Sequence, residues 1–237
     1  MRFGIAVFPG TWSDRDCARA VEVLGHQSVP LWHRDRDLGG VDCVILPGGF
    51  SYGDHLRTGA VARFAPLMES VQEFASSGGL VWGICNGFQI LCEAHLLPGA
   101  LTRNVSLEFR CETAWLRVET VDTPFTRACH PGAVLAIPIS HGEGRYVADA
   151  ATLDRLEAER RVAFRYVARD GSPVGQASPN GSMRDIAGIV SEGRNVLGMM
   201  PHPERAAEGL LGSEDGMRLF GSVVATVAEG AAFPVAR

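Results

Sequence analysis

Gly83-Ile84-Cys85-Asn86-Gly87 sets a cysteine between two glycines where an apolar run gives way to an amphipathic one. G-x-C-x-G is the thiol form of the nucleophile elbow, a sharp strand-to-helix turn that lifts a reactive atom clear of its neighbours. Glycines on either side remove Cβ atoms that would crowd such a turn, and the free N–H groups of the following helix favour a thiolate. By itself the pentad reads equally well as a buried cysteine whose glycines merely serve the turn. A thiol nucleophile needs a base, and the base an orienting group. Pro201-His202-Pro203-Glu204 offers both, an imidazole and a carboxylate two residues apart. Two prolines favour extended backbone, which is expected to project His202 and Glu204 to the same side. His26, His33, His55, His95 and His130 read as surface or turn residues, and His141 as structural. A third element, Leu46-Pro47-Gly48-Gly49-Phe50, is a diglycine turn. Its backbone N–H groups, with that of Asn86, could stabilise an oxyanion. Hydrolysis or acyl transfer by a cysteine nucleophile is the chemistry these three elements share.

The elements that must position these residues follow from the hydrophobic pattern. Phe3–Phe8, Asp42–Leu46 and Gly79–Ile84 are short apolar runs that alternate with amphipathic stretches, which predicts βαβ units and a parallel sheet. A helix is expected from Asp14, with Cys17, Val21 and Leu24 on one face. A second is expected over about Leu56–Ala75, interrupted near Pro66, and a third from the elbow to about Leu97. Ser106–Val121 and Ala133–Ile139 alternate polar and apolar residues, as antiparallel strands do. Arg161–Val167, Ile186–Val190 and Asn195–Met200 continue as strands, and a last helix covers about Glu214–Ala228. The expected architecture is one α/β domain over residues 1–237, with an open, mostly parallel but mixed central sheet flanked by helices. All three chemical elements end predicted strands, and sites in open α/β sheets gather outside the carboxyl ends of strands.

Composition removes competing chemistries. The 237 residues contain 22 positive charges and no lysine, so every one is arginine. A Schiff-base lysine, a pyridoxal-phosphate anchor and a P-loop lysine are excluded. The net charge of −5 leaves no electrostatic footprint for nucleic acid or an anionic membrane. The N-terminal apolar run stops at Pro9, and no later run reaches the roughly 18 residues of a membrane span. Cysteines 17, 43, 85, 92, 111 and 129 have no tight framework spacing, and neither CxxC nor HExxH occurs. Reduced thiols, a cytoplasmic setting and no metal site are expected.

Longer matches carry a resemblance. Gly83–Gln89 reads G-x-C-x-G-x-Q, preceded by Pro47-Gly48-Gly49-Phe50-Ser51-Tyr52-Gly53-Asp54 and followed by Gly198-Met199-Met200-Pro201-His202-Pro203-Glu204-Arg205. With Phe8-Pro9-Gly10, Leu97-Pro98-Gly99-Ala100-Leu101 and Pro138-Ile139-Ser140-His141-Gly142-Glu143-Gly144, these motifs span roughly residues 3 to 220. The chain resembles the class I, or triad, glutamine amidotransferases, and within them the glutaminase subunits of phosphoribosylformylglycinamidine synthase in purine biosynthesis. The resemblance implies a Cys85–His202–Glu204 triad, with an oxyanion hole from the backbone of Gly49 and Asn86. It also implies glutamine contacts from Gln89, Ser140, Gly142 and Glu143. The implied partner is a large synthase subunit, with a small accessory subunit, that holds ATP and Mg²⁺ and converts formylglycinamide ribonucleotide to the amidine with ammonia delivered from this chain. No cofactor is expected on the chain itself. Trp12, His55 and Ser178 depart from the family pattern without touching the triad. Two competing readings are another elbow-cysteine hydrolase, such as a γ-glutamyl hydrolase, and a non-catalytic regulatory subunit.

Overall fold

A computed structural model describes residues 1–175 and 178–230. In chain order the elements are β1 (Arg2–Val7), α1 (Asp14–Val23), β2 (Gln27–Trp32), β3 (Cys43–Leu46), α2 (Pro66–Ser76), β4 (Leu80–Ile84) and α3 (Asn86–Glu93). They continue with β5 (Ala100–Thr102), β6 (Arg110–Val118), β7 (Val134–His141), β8 (Arg145–Val147), α4 (Ala150–Ala158) and β9 (Val162–Val167). The last are β10 (Ile186–Val190), β11 (Val196–Met199) and α5 (Asp215–Ala228).

Among the described residues nine strands form one sheet in the order β2-β1-β3-β4-β11-β10-β9-β6-β7. From β2 to β11 every neighbouring pair is parallel, and from β11 to β7 every pair is antiparallel. β3 and β4 are buried at every residue, as continuous apolar runs under helices on both faces must be. β7 alternates half-buried and buried positions, the pattern of a strand covered on one side. The mixed sheet, flanked by helices, matches the expected α/β architecture. β5 and β8 make a small separate antiparallel pair.

Helices take their places from crossover handedness. α1 links β1 to β2 in one direction along the sheet and α2 links β3 to β4 in the other, so right-handed crossovers put them on opposite faces. α1 and α5 both pack on the turn at Pro203–Arg205, whereas α3 packs on the turn at Ala62–Phe64 that leads into α2. Cys17, Ala20 and Val21 form the buried stripe of α1. The indole of Trp82 on β4 lies 4.8 Å from the Phe220 ring of α5 and 5.9 Å from that of Phe125, both fully buried.

Several elements differ from their sequence reading. Pro66 does not interrupt a helix but starts α2 at its first position, where the missing N–H costs nothing. The stretch before it is a short 3₁₀ turn. α3 stops at Glu93, because His95 takes a left-handed φ of 58° and the chain turns away before Leu97. The expected strand Ser106–Val121 is ordered as strand only over Arg110–Val118. β2, β5, β8 and α4 were not expected. β2 carries Pro30 and a largely exposed sheet edge, and β5 and β8 have three residues each, too short for a period. No described helix is long and apolar enough to cross a membrane.

Candidate active site

Sheet register brings the three chemical elements together. Leu46 on β3 stands opposite Gly83 on β4, and Ile84 on β4 opposite Met199 on β11. The residues just past these pairs therefore emerge side by side: Gly48-Gly49, Cys85 and His202. Cys85 has φ 52° and ψ −107°, an outlying conformation held by its N–H on the Met199 carbonyl and its own carbonyl under the Gln89 N–H. Such a conformation typically costs about 1–3 kcal/mol and persists only where surrounding bonds fix it. A Cβ on Gly87 would run into the Leu46 carbonyl oxygen, so the helix can start this close to β3 only with glycine there. Cys85 is 5% exposed, and its Sγ lies 3.8 Å from the Ser140 carbonyl oxygen. Burial pushes the thiols of Cys92 and Cys43 well up, which leaves them inert.

His202 does not sit on an extended segment through Glu204. Its own backbone has φ −103° and ψ 87°, short of a full extended strand, and Pro203–Arg205 form a 3₁₀ turn with Pro203 at the first position. The turn still joins the two side chains: Nδ1 of His202 lies 2.6 Å from Oε1 of Glu204, both buried. Burial alone would lower the proton affinity of His202, but the Glu204 carboxylate and then Cys85 raise it well above the ordinary histidine range. Nε2 is buried without a hydrogen-bond partner, as is Oε2 of Glu204. Arg205 ties the turn to α1 through the Ser13 hydroxyl at 2.9 Å and Asp16 at 3.5 Å.

The diglycine turn lies against both. Gly49 has φ +151°, and a Cβ there would fall 2.6 Å from the Trp12 backbone nitrogen. Phe50 N–H donates to the Gly10 carbonyl and Tyr52 N–H to that of Pro9, while Tyr52 Oη lies 2.6 Å from Nδ1 of His33. The Asn86 side chain accepts from Ser51 N–H at 3.1 Å and donates to Gln89 Oε1 at 2.9 Å. Gln89 donates to the Glu143 carbonyl at 2.6 Å, so its amide is engaged on both sides.

The strap over the site comes from the far edge of the sheet. β7 is four strands beyond β11 in the sheet order, yet the His202 N–H donates to the Pro138 carbonyl at 2.8 Å. The antiparallel half therefore curls back, and residues 140–144 cross the mouth of the elbow. A cavity of about 190 Å³ under this strap is lined by Gly49, Asp54, Gln89, His141, Gly142 and Glu143, among others. A strained thiol at a helix start, a buried imidazole pinned by a carboxylate and a small side pocket together suit nucleophilic attack on an acyl carbon.

The family of CobB/CobQ-like glutamine amidotransferase domains matches residues 1–218. The chain belongs to this family. The amidotransferase is 58% identical over 225 residues to phosphoribosylformylglycinamidine synthase subunit PurQ of Moorella thermoacetica, covering 94% of this chain and 95% of that one. It is 57% identical to the PurQ subunit of Rubrobacter xylanophilus, with 95% and 98% covered. In the solved structure of PurLQS from Thermotoga maritima, one chain superposes with a TM-score of 0.84 at 43% identity, with 95% of this chain and 98% of that chain covered.

Other polar residues of this amidotransferase site were not singled out from the sequence. Asn104 receives the Gly144 N–H at 3.0 Å and donates to the carbonyls of Glu108 and His141. Asn180 donates to the Gly144 carbonyl and to Tyr166 Oη. Both brace the strap from beneath. Each is a buried asparagine in a turn-rich stretch, which looks like ordinary loop punctuation until the fold closes.

Proposed function

We propose that this chain is the glutaminase subunit of a phosphoribosylformylglycinamidine synthase and hydrolyses glutamine to glutamate and ammonia. The buried His202–Glu204 pair beside the strained Cys85 is the observation that carries the reading. Cys85 gives its proton to His202, its Sγ attacks the carboxamide carbon of glutamine, and Gly49 and Asn86 N–H groups hold the oxyanion. His202, whose proton affinity Glu204 raises, donates its proton as the C–N bond breaks and ammonia leaves. Water then attacks the γ-glutamyl thioester, His202 takes its proton, and glutamate departs with the thiol restored. Ser140, Gly142 and Glu143 line the approach, and Gln89 braces the strap against α3.

Ammonia passes to a large synthase subunit, with a small accessory subunit, which binds ATP and Mg²⁺ and forms the amidine. The near full-length likeness to PurQ subunits and to a chain of PurLQS supports this partnership. The reading takes residues 1–237 as one domain, of which residues 176–177 and 231–237 lie outside the described residues. A cytoplasmic setting is supported by six unpaired cysteines. The test is the assembled synthase with Cys85→Ser. Amidine formation is expected to vanish with glutamine and persist with high ammonium. Glutamine-driven synthesis by the variant overturns the assignment of Cys85, and wild type that uses neither donor overturns the partnership.

A further inference from the structure

The cavity under the strap is walled by hydrogen-bond acceptors. Asp54 Oδ1 is buried there without a partner. His141 presents a second acceptor. Its Nδ1 lies 3.2 Å from Asn104 Oδ1, an oxygen fixed in place because the Asn104 amide nitrogen donates to two carbonyls. Nδ1 therefore carries the proton, and Nε2 is a lone pair, buried and unpartnered in a side chain only 3% exposed. Burial, then the neighbouring His202, lowers the proton affinity of His141 to about 4, so the ring is neutral. Glu143 is the third. Thr58 Oγ1 lies 3.4 Å from one carboxylate oxygen, and Arg103, largely exposed at the rim, lies 3.6 Å from the other. The side-chain amide on this wall, Gln89, is already engaged with the Glu143 carbonyl.

A buried acceptor left unmatched typically costs about 1–3 kcal/mol, so this pocket suits a ligand rich in N–H donors and positive in charge. Among the described residues no group of three His, Cys, Asp or Glu is placed to ligate a metal ion, which favours an organic ammonium. Asp54 lies five residues beyond Gly49 on one loop, whose left-handed Tyr52, Gly53 and Asp54 turn the chain back to the cavity. Resting on the glutaminase reading, we infer that Asp54 recognises the α-ammonium of free glutamine, with Glu143 and His141 as its supporting acceptors. The same loop then holds the carboxamide end through Gly49 and the amino end through Asp54. The site becomes selective for the free amino acid over glutamine whose α-nitrogen is absent or acylated.

The experiment measures kcat/KM of the assembled synthase for L-glutamine and for glutaramate, the same carboxamide without the α-amino group. Their ratio is internal to each preparation, so an unfolded fraction cancels. Wild type is expected to prefer L-glutamine by roughly 10–100-fold, the worth of one charge-assisted hydrogen bond, and Asp54→Asn to bring the ratio towards one. A wild-type ratio near one overturns the inference without any variant, and so does an unchanged ratio in Asp54→Asn. Wild type that hydrolyses no glutamine at all overturns the glutaminase reading instead, and the inference with it.

Discussion

Glu204 meets His202 through a single contact, Oε1 to Nδ1 at 2.6 Å, with both side chains shut off from solvent. Its other oxygen finds no partner, so the influence of this carboxylate on the site runs through the imidazole. His202→Ala is expected to remove the proposed proton transfer, an effect typically worth about 10²–10⁴-fold. Glu204→Gln keeps a group of the same shape but loses the charge that raises His202. Its turnover is expected to fall less than that of His202→Ala, with the imidazole titrating at lower pH. A pH profile of kcat identical to wild type in Glu204→Gln would remove Glu204 from the mechanism.

Cys85 and Cys92 separate on placement, the first on the strained turn ahead of α3 and the second near the end of that helix. A glutamine-like electrophile is expected to label Cys85 and spare Cys92, whose thiol burial pushes far up. Cys85→Ala is expected to abolish glutamine-dependent activity, while Cys92→Ala, inside α3, keeps most of it. Mass analysis of the labelled chain decides the first point. Equal losses in two folded variants would refute the second.

The parallel half of the fold was legible because β1, β3 and β4 are uniform apolar runs closed by proline or glycine, and the elbow follows from them. The His202–Glu204 pairing was also legible, although by a 3₁₀ turn and not by extended backbone. Proline at the first position of a helical turn and proline in an extended segment leave the same sequence trace. The strap was not legible. Its contact with the elbow depends on the sheet curling through β10, β9 and β6, and no local pattern near His141 encodes that return. Asp54 was hidden for a related reason: an aspartate after glycine reads as a turn residue until the cavity behind it is seen.

Asn86 offers a test of the proposed oxyanion loop apart from the proposed nucleophile. Its side chain couples Ser51 on that loop to Gln89 on α3, so Asn86→Ala keeps the backbone N–H and removes the tether. The expected result is faster hydrogen exchange over residues 50–54 and a loss in kcat within the roughly 10²–10³-fold that one oxyanion donor is worth. Unchanged exchange with lowered activity would assign the amide a direct role and not a tethering one.

Asp54 sets stability against recognition. Burial, then the Glu143 carboxylate, raises its carboxyl to about 6 from the ordinary 3.8. Between those values the folded chain holds a proton that the unfolded chain releases, so this residue's contribution to stability falls as pH rises through the interval. Above about 6 the folded state carries a charge it accommodates poorly. Asp54→Asn removes that charge, so its Tm is expected to exceed that of wild type at pH 7.5 and to converge with it below pH 4. Glutamine reverses the order if its ammonium pairs with Asp54: saturating glutamine, on a Cys85→Ser background to prevent turnover, is expected to raise the Tm of the Asp54 chain more than that of Asp54→Asn. Thermal melts of both chains at the two pH values, with and without glutamine, make the comparison. A Tm for Asp54→Asn below that of wild type at pH 7.5 without glutamine would mean that Asp54 is held by contacts of the folded chain itself and is not waiting for a ligand.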